Sequence, residues 1–184
     1  EVASTLERIR QRLAETDGIE STSYAFPSVY DLGGTSMGIA PVGYSPGPGE
    51  DIGAGTIVVG PGFFATLGIA LREGRDFEQP DMRDGESVVV VNETFARRYF
   101  KSRSALGESV RLPAMPAPKV SRIVGVVADV RHYGVRSQPW PMVYQPGGSS
   151  GAHLLVRGRD HAATRAAIRA SVESVGAPAQ IELI

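Results

Sequence analysis

Apolar positions fall at helical spacing near both ends of the chain and gather into short strand-like runs between them. Leu6, Ile9 and Leu13 lie at i, i+3 and i+7, with Arg8, Arg10, Gln11 and Arg12 on the other face, which predicts an amphipathic helix ending near Gly18. Ser4 and Glu7 have capping-box spacing, with Ser4 at the N-cap, although Val2 belongs to the same stripe and lets the helix begin earlier. Ile168, Val172 and Val175 predict a second helix, opened by Asp160 and closed by Gly176. A strand is expected after each helix, over 19–25 and 180–184, and another over 153–157.

Between these ends, Thr56-Ile57-Val58-Val59 reads as a strand, and Gly60-Pro61-Gly62 turns it into a short apolar helix over Phe63–Leu67 that Gly68 stops. An extended run over 69–71 follows, with a sharp exit at Gly74-Arg75-Asp76. The rest of the chain looks arranged around this corner. Four consecutive valines, 88–91, predict a strand buried on both faces. Asn92 then caps a helix with Phe95, Ala96, Tyr99 and Phe100 on one side and Arg97 and Arg98 on the other. Strands are expected over 108–112, 121–130 and 142–144, and Gly125 inside the longest signals a bulge or a close backbone approach. Residues 27–51, rich in Gly and Pro, read as one ragged hairpin with pieces at 37–40 and 42–44 and a mobile loop over 44–49.

This pattern predicts an α+β, two-lobed fold. Residues 1–72 and 150–184 would form a helix/strand lobe from both chain ends, with a mixed α/β lobe over 75–145 inserted between the joints Gly74-Arg75 and Gly147-Gly148-Ser149-Ser150-Gly151.

Composition narrows the function more than the fold. The 184 residues are 42% apolar and 21% charged, ordinary globular values, with a formal net charge of −1 that argues against nucleic acid as a partner. Arginine supplies 17 of the 19 basic residues, scattered along the chain as a mixed-charge surface would be. With no cysteine there is no disulfide, thiolate chemistry or cysteine metal site. The longest apolar runs, 88–91 and 123–128, fall far short of the ~20 residues of a membrane helix. Glu1 opens directly into a helical pattern, so no leader is expected here.

Candidate chemistry is sparse. Gly34-Thr35-Ser36-Met37-Gly38 has the nucleophile-elbow spacing, but Ile39-Ala40-Pro41 cannot start the helix an elbow needs, so Ser36 is expected on a strand. Gly60-Pro61-Gly62-Phe63-Phe64-Ala65 matches the dinucleotide fingerprint, yet Gly68 ends the helix too soon for a phosphate-binding βαβ unit. His132, His153 and His161 share no ligand spacing, and no metal or other cofactor is expected. Asn92-Glu93-Thr94 is a formal glycosylation sequon, with Asn92 already engaged as a cap. Trp140, held between prolines near Tyr133 and Tyr144, is a candidate interface anchor, with the core of the middle segment as its structural alternative. The candidate partner-binding residues are Trp140, Tyr133 and Tyr44.

In order and spacing, GPGFFATLGIALREGRDF, VVVVNETFARRYF, LGESVRL and RIVGVVADVRHYGVRSQPWPMVYQP resemble the extracytoplasmic core domain of MacB/FtsX-type ABC transporter permeases, closest to the large duplicated ones. The resemblance is dense from about Ile57 to Pro146. It implies the two-lobe split, a periplasmic location on an inner-membrane protein, and a non-catalytic module that binds a partner or substrate and transmits movement. It further implies flanking transmembrane helices in the same chain and a cytoplasmic ABC ATPase. A periplasmic adaptor or extracytoplasmic substrate, and a second copy in the assembled transporter, complete the implied partners. The competing reading is a stand-alone serine hydrolase using Ser36 with His132 and Asp129.

Overall fold

The computed structural model of the chain describes residues 2–29, 36–82, 87–101, 103–113, 117–131, 137–148 and 151–176. One mixed sheet carries the helices. Its strands are β1 (Ile19–Phe26), β2 (Ser36–Met37), β3 (Ala40–Pro41), β4 (Ala54–Val59), β5 (Leu71–Gly74), β6 (Val88–Asn92), β7 (Ser109–Leu112), β8 (Lys119–Val127), β9 (Met142–Pro146) and β10 (His153–Gly158). The helices are α1 (Val2–Ala14), α2 (Phe63–Leu67), α3 (Glu93–Phe100) and α4 (His161–Val175), with a 3-10 turn at Gln79–Met82. The strands lie in the order β10-β1-β4-β9-β6-β8-β7-β3, with β2 added to β4 and β5 to β8. The pairs β4–β9 and β6–β8 are parallel, and the other pairs are antiparallel. Strands and helices thus mix as the α+β pattern predicts.

The valine run explains the two cores. All of β6 is buried, and its side chains alternate between faces. Val88 and Val90 join one cluster, which reaches from Ala25 of β1 and Leu155 of β10 through Ile57 and Val59 to Val124 and Val127. Val89 and Val91 join the other, under Phe95, Tyr99 and Phe100 of α3. At the sheet's far end, α1 packs on β1 and on α4, and α4 packs on β10. Ile9 and Leu13 are buried there, and Arg12 Nη1 donates to Ser174 Oγ at 2.6 Å, so helices from both ends of the chain are tied together.

Gly125 is both a bulge and a close approach. The β6–β8 register slips between Val89 and Val90, and a Cβ on Gly125 would lie 2.3 Å from the Arg75 carbonyl oxygen. Its pairing partner is Gly74, the last residue of β5, where the chain leaves the strand as expected.

Two expectations need correcting. The helix α1 already runs at Val2, so Ser4 is interior to it, whereas an N-cap must be non-helical. Glu7 instead takes Arg10 at 2.7 and 2.8 Å and Gln11 at 2.9 Å. The ragged hairpin does not form: β2 pairs with β4 and β3 with β7, because Ile39 between them is drawn wholly into the second core. The turn over 44–49 is closed on itself, since Glu50 accepts from Tyr44 OH at 2.5 Å and from Gly47 N at 2.9 Å. The strand expected over 180–184, and Gly34, His132 and Tyr133, lie outside the described residues. The parallel pairing of β4 with β9 carries one sheet across the junction between residues 1–72 and 75–145.

Candidate functional site

The corner built by α2 is tightly constrained. Gly60 N donates to Tyr24 O at 2.9 Å, and the Tyr24 ring lies so close that a Cβ on Gly60 would meet it at 2.7 Å. Gly62, at φ 72°, opens the helix, and its carbonyl accepts from both Thr66 N and Thr66 Oγ1 at 2.9 Å. Gly68, at φ 70°, closes it by donating to Ala65 O at 3.1 Å, while Ile69 N reaches Phe64 O at 2.8 Å. Phe63 and Phe64 are buried against Tyr144, at ring separations of 6.0 and 5.0 Å, and that burial pushes the Tyr144 phenol pKa up. The Thr66 carbonyl, left free by the helix end, accepts from Arg157 Nε at 2.9 Å.

These contacts also dispose of the dinucleotide fingerprint. The first glycine of the fingerprint, Gly60, is packed against the Tyr24 ring, and α2 is only 5 residues long. The next strand, β5, joins β8 instead of returning beside β4.

A second node is Asn92, fully buried and triply bonded. Its Oδ1 accepts from Phe95 N as the α3 cap and from Met142 N, both at 2.9 Å, and its Nδ2 donates to Trp140 O at 2.8 Å. A buried, triply bonded amide cannot be a glycan acceptor, so the sequon is spent on structure. Trp140 is half-buried against the first core, and its Nε1 has no partner among the described residues.

Of the candidate hydrolase residues, His132 lies outside the described residues and Asp129 is engaged elsewhere. Asp129 Oδ1 accepts from Thr94 N at 2.8 Å, and Oδ2 accepts from Thr94 Oγ1 at 2.8 Å and Arg97 Nη2 at 2.6 Å, so this carboxylate clamps the first turn of α3. Ser36 pairs with Gly55 in a two-residue strand with no helix after it, as the sequence led us to expect. The two described candidate partner residues do not converge: Trp140 lies on the first core, while Tyr44 packs edge-on against Tyr99 of the second at 5.1 Å. The hydrogen bond to Glu50 raises the Tyr44 phenol pKa and lowers that of Glu50. Sequence reasoning missed the bond from Arg157 to Thr66 and the reach of Asn92 to residues 140–142. Both are tertiary contacts without a local signal; only the half of Asn92 that caps α3 is visible in sequence.

The family model described as the MacB-like periplasmic core domain matches residues 4–180. The macrolide export ATP-binding/permease protein MacB of Chromobacterium violaceum is 32% identical over 100 residues, covering 54% of this chain and 15% of that protein. The chain thus spans only a small part of the curated relative it matches. The periplasmic region of MacB from Actinobacillus actinomycetemcomitans has a similar structure, with a TM-score of 0.60 and 20% identity over 91% of this chain and 73% of that one. The extracellular domain of the noncanonic ABC-type transporter YknZ from Gram-positive bacteria gives 0.57 and 17% over 94% and 84%. Those structures share the fold. The match over nearly the whole chain adds the family: this chain belongs to the MacB-like periplasmic core domains of ABC transporter permeases.

Proposed function

We propose that the chain is the moving extracytoplasmic module of a MacB/FtsX-like permease, with its energy supplied by a cytoplasmic ABC ATPase and delivered through flanking membrane helices. The observation that carries this reading is the family match over 4–180, joined to the packing of α1 on α4. Movement entering at either chain end would reach the same pair of helices. Residues 1–72 with 150–184 would form the membrane-proximal part and 75–145 the distal part. A periplasmic adaptor or extracytoplasmic substrate would meet the distal part through Trp140 and Tyr133 and the 44–49 loop through Tyr44, and the module would work beside a second copy. Because Tyr44 and Trp140 serve different cores, they would make two separate contacts rather than one pocket.

The test uses the full-length protein in lipid vesicles with its ATPase. A spin label on the exposed Arg111 of β7 should change its distance from the membrane surface between nucleotide-free and ATP-bound states. A label whose position is the same in every nucleotide state would sink the proposal.

A further inference from the structure

The end group α1, α4, β1 and β10 is joined to the rest of the sheet by a narrow seam. Where β1 meets β4, only Ala25↔Val59 and Phe26↔Val58 pair, whereas β1 runs beside β10 from Ile19 to Ala25 and β4 beside β9 from Gly55 to Val59. Two strand pairs held by so little backbone would pivot about it. One element lies across that pivot: α2, which is covalently continuous with β4 yet packs on β1 and β10.

We infer that α2 is a coupling bolt, locking the end group to the central strands so that the two turn together, and that Arg157 fastens it. On the central side, Phe63 and Phe64 are set against Tyr144 of β9. On the other side, Arg157 of β10 donates to Thr66 O at 2.9 Å, Leu155 packs into the same cluster as Leu67, and Ser23 Oγ donates to Gly60 O at 3.3 Å. A cation at a helix C-terminus also meets the negative end of the helix dipole. The fit is close, because a Cβ on Gly68 would come within 3.3 Å of Arg157 Nη2. A five-residue helix whose N-cap offers no side chain cannot persist without tertiary support. Therefore α2 is either docked on both sides or undone, and opening the seam requires undoing it. This makes the bolt two-state and gives the joint a threshold rather than a spring.

What the coupling serves rests on the transport reading, but its existence can be tested in this chain alone. Hydrogen exchange should show β10 and β4 amides opening together in the wild type. In Arg157→Ala, amides of β1 and β10 should exchange about tenfold faster while those of β6, β8 and β9 keep their rates. Arg157→Lys, which can still offer a donor, should recover part of the protection. Arg159→Ala, two residues along, whose side chain meets Glu20 at 3.8 Å on the surface, should change nothing. Equal acceleration in every strand, no change in Arg157→Ala, or wild-type β10 opening independently of β4 would each overturn the bolt. If exchange behaves as expected but a full-length Arg157→Ala permease transports normally, the coupling stands and the transport reading of it fails.

Discussion

The shortest helix and the longest helix of this chain hold it in opposite ways. Of the 5 residues in α2, Phe63, Phe64 and Thr66 are buried, and a left-handed glycine sits at each end. Of the 15 residues in α4, only Ser171 is buried, although the helix has a side-chain cap at Asp160 and a glycine at 176. The longer helix leans on its own propensity, with Ala at positions 162, 163, 166, 167 and 170. The shorter one could not exist in isolation and depends on what it touches. Length in sequence is therefore a poor guide to structural weight; the density of tertiary contacts decides.

That contrast sets the order of expected damage. Phe63→Ala empties a fully buried site between Tyr144 and Phe64 and should cost about 3–5 kcal/mol in urea unfolding. Ile168→Ala on half-buried α4 should cost clearly less. If the two were equal, the comparison between the helices would be wrong. Next comes Gly68→Val, which forces a β-branched residue to φ 70° and presses on Arg157; a loss of about 1–3 kcal/mol is expected. Gly38→Ala, at a site with open space and an ordinary φ, is the control and should be nearly silent. Asp160→Ala removes the bond from Ala163 N at 2.7 Å and should lower α4 protection by about 1 kcal/mol in exchange, leaving α2 untouched.

Much of this was legible in the sequence where the signal was local. The range Phe63–Leu67, the caps Asn92, Gly68 and Asp160, the doubly buried valines and the crowded Gly125 all follow from propensity, cap chemistry or sterics within a few residues. The family resemblance was carried by motifs from the same stretch. What failed was pairing. Met37 and Ala40 sit three residues apart and looked like parts of one hairpin, yet Ile39 sinks into the core and sends them to β4 and β7. Ser4 satisfied a capping box that the helix ignores, because its first turn begins upstream. The candidate site fared less well than the fold. Trp140 and Tyr44 were chosen as aromatics beside glycines and prolines, and nothing in their neighbourhoods reveals that they belong to opposite faces of one sheet.

The smallest expected effect concerns the chain just beyond α2 and β5, where two neighbouring carboxyls pull in opposite directions. Arg75 holds Asp81 bidentately, at 2.6 and 3.1 Å, and Glu78 N adds a third bond at 2.7 Å. The guanidinium bonds hold the Asp81 pKa below the usual range, whereas burial raises that of Asp76. A depressed carboxyl contributes stability that is complete above its unfolded pKa of about 3.9 and is lost as pH falls through the folded value. A raised carboxyl does the reverse: its burial cost is present when ionised and is relieved as pH falls through the folded value. Acidification from pH 6 toward pH 3 should therefore first gain from Asp76 and then lose from Asp81. Since the Arg75 side chain is 39% exposed, the Asp81 contribution should stay below about 1 kcal/mol. Urea midpoints across that range provide the measurement. Asp76→Asn should remove the early gain and make the fall monotonic, while Asp81→Asn should flatten the fall below pH 4. Profiles that run parallel to wild type in both variants would mean that neither carboxyl is held as the geometry indicates.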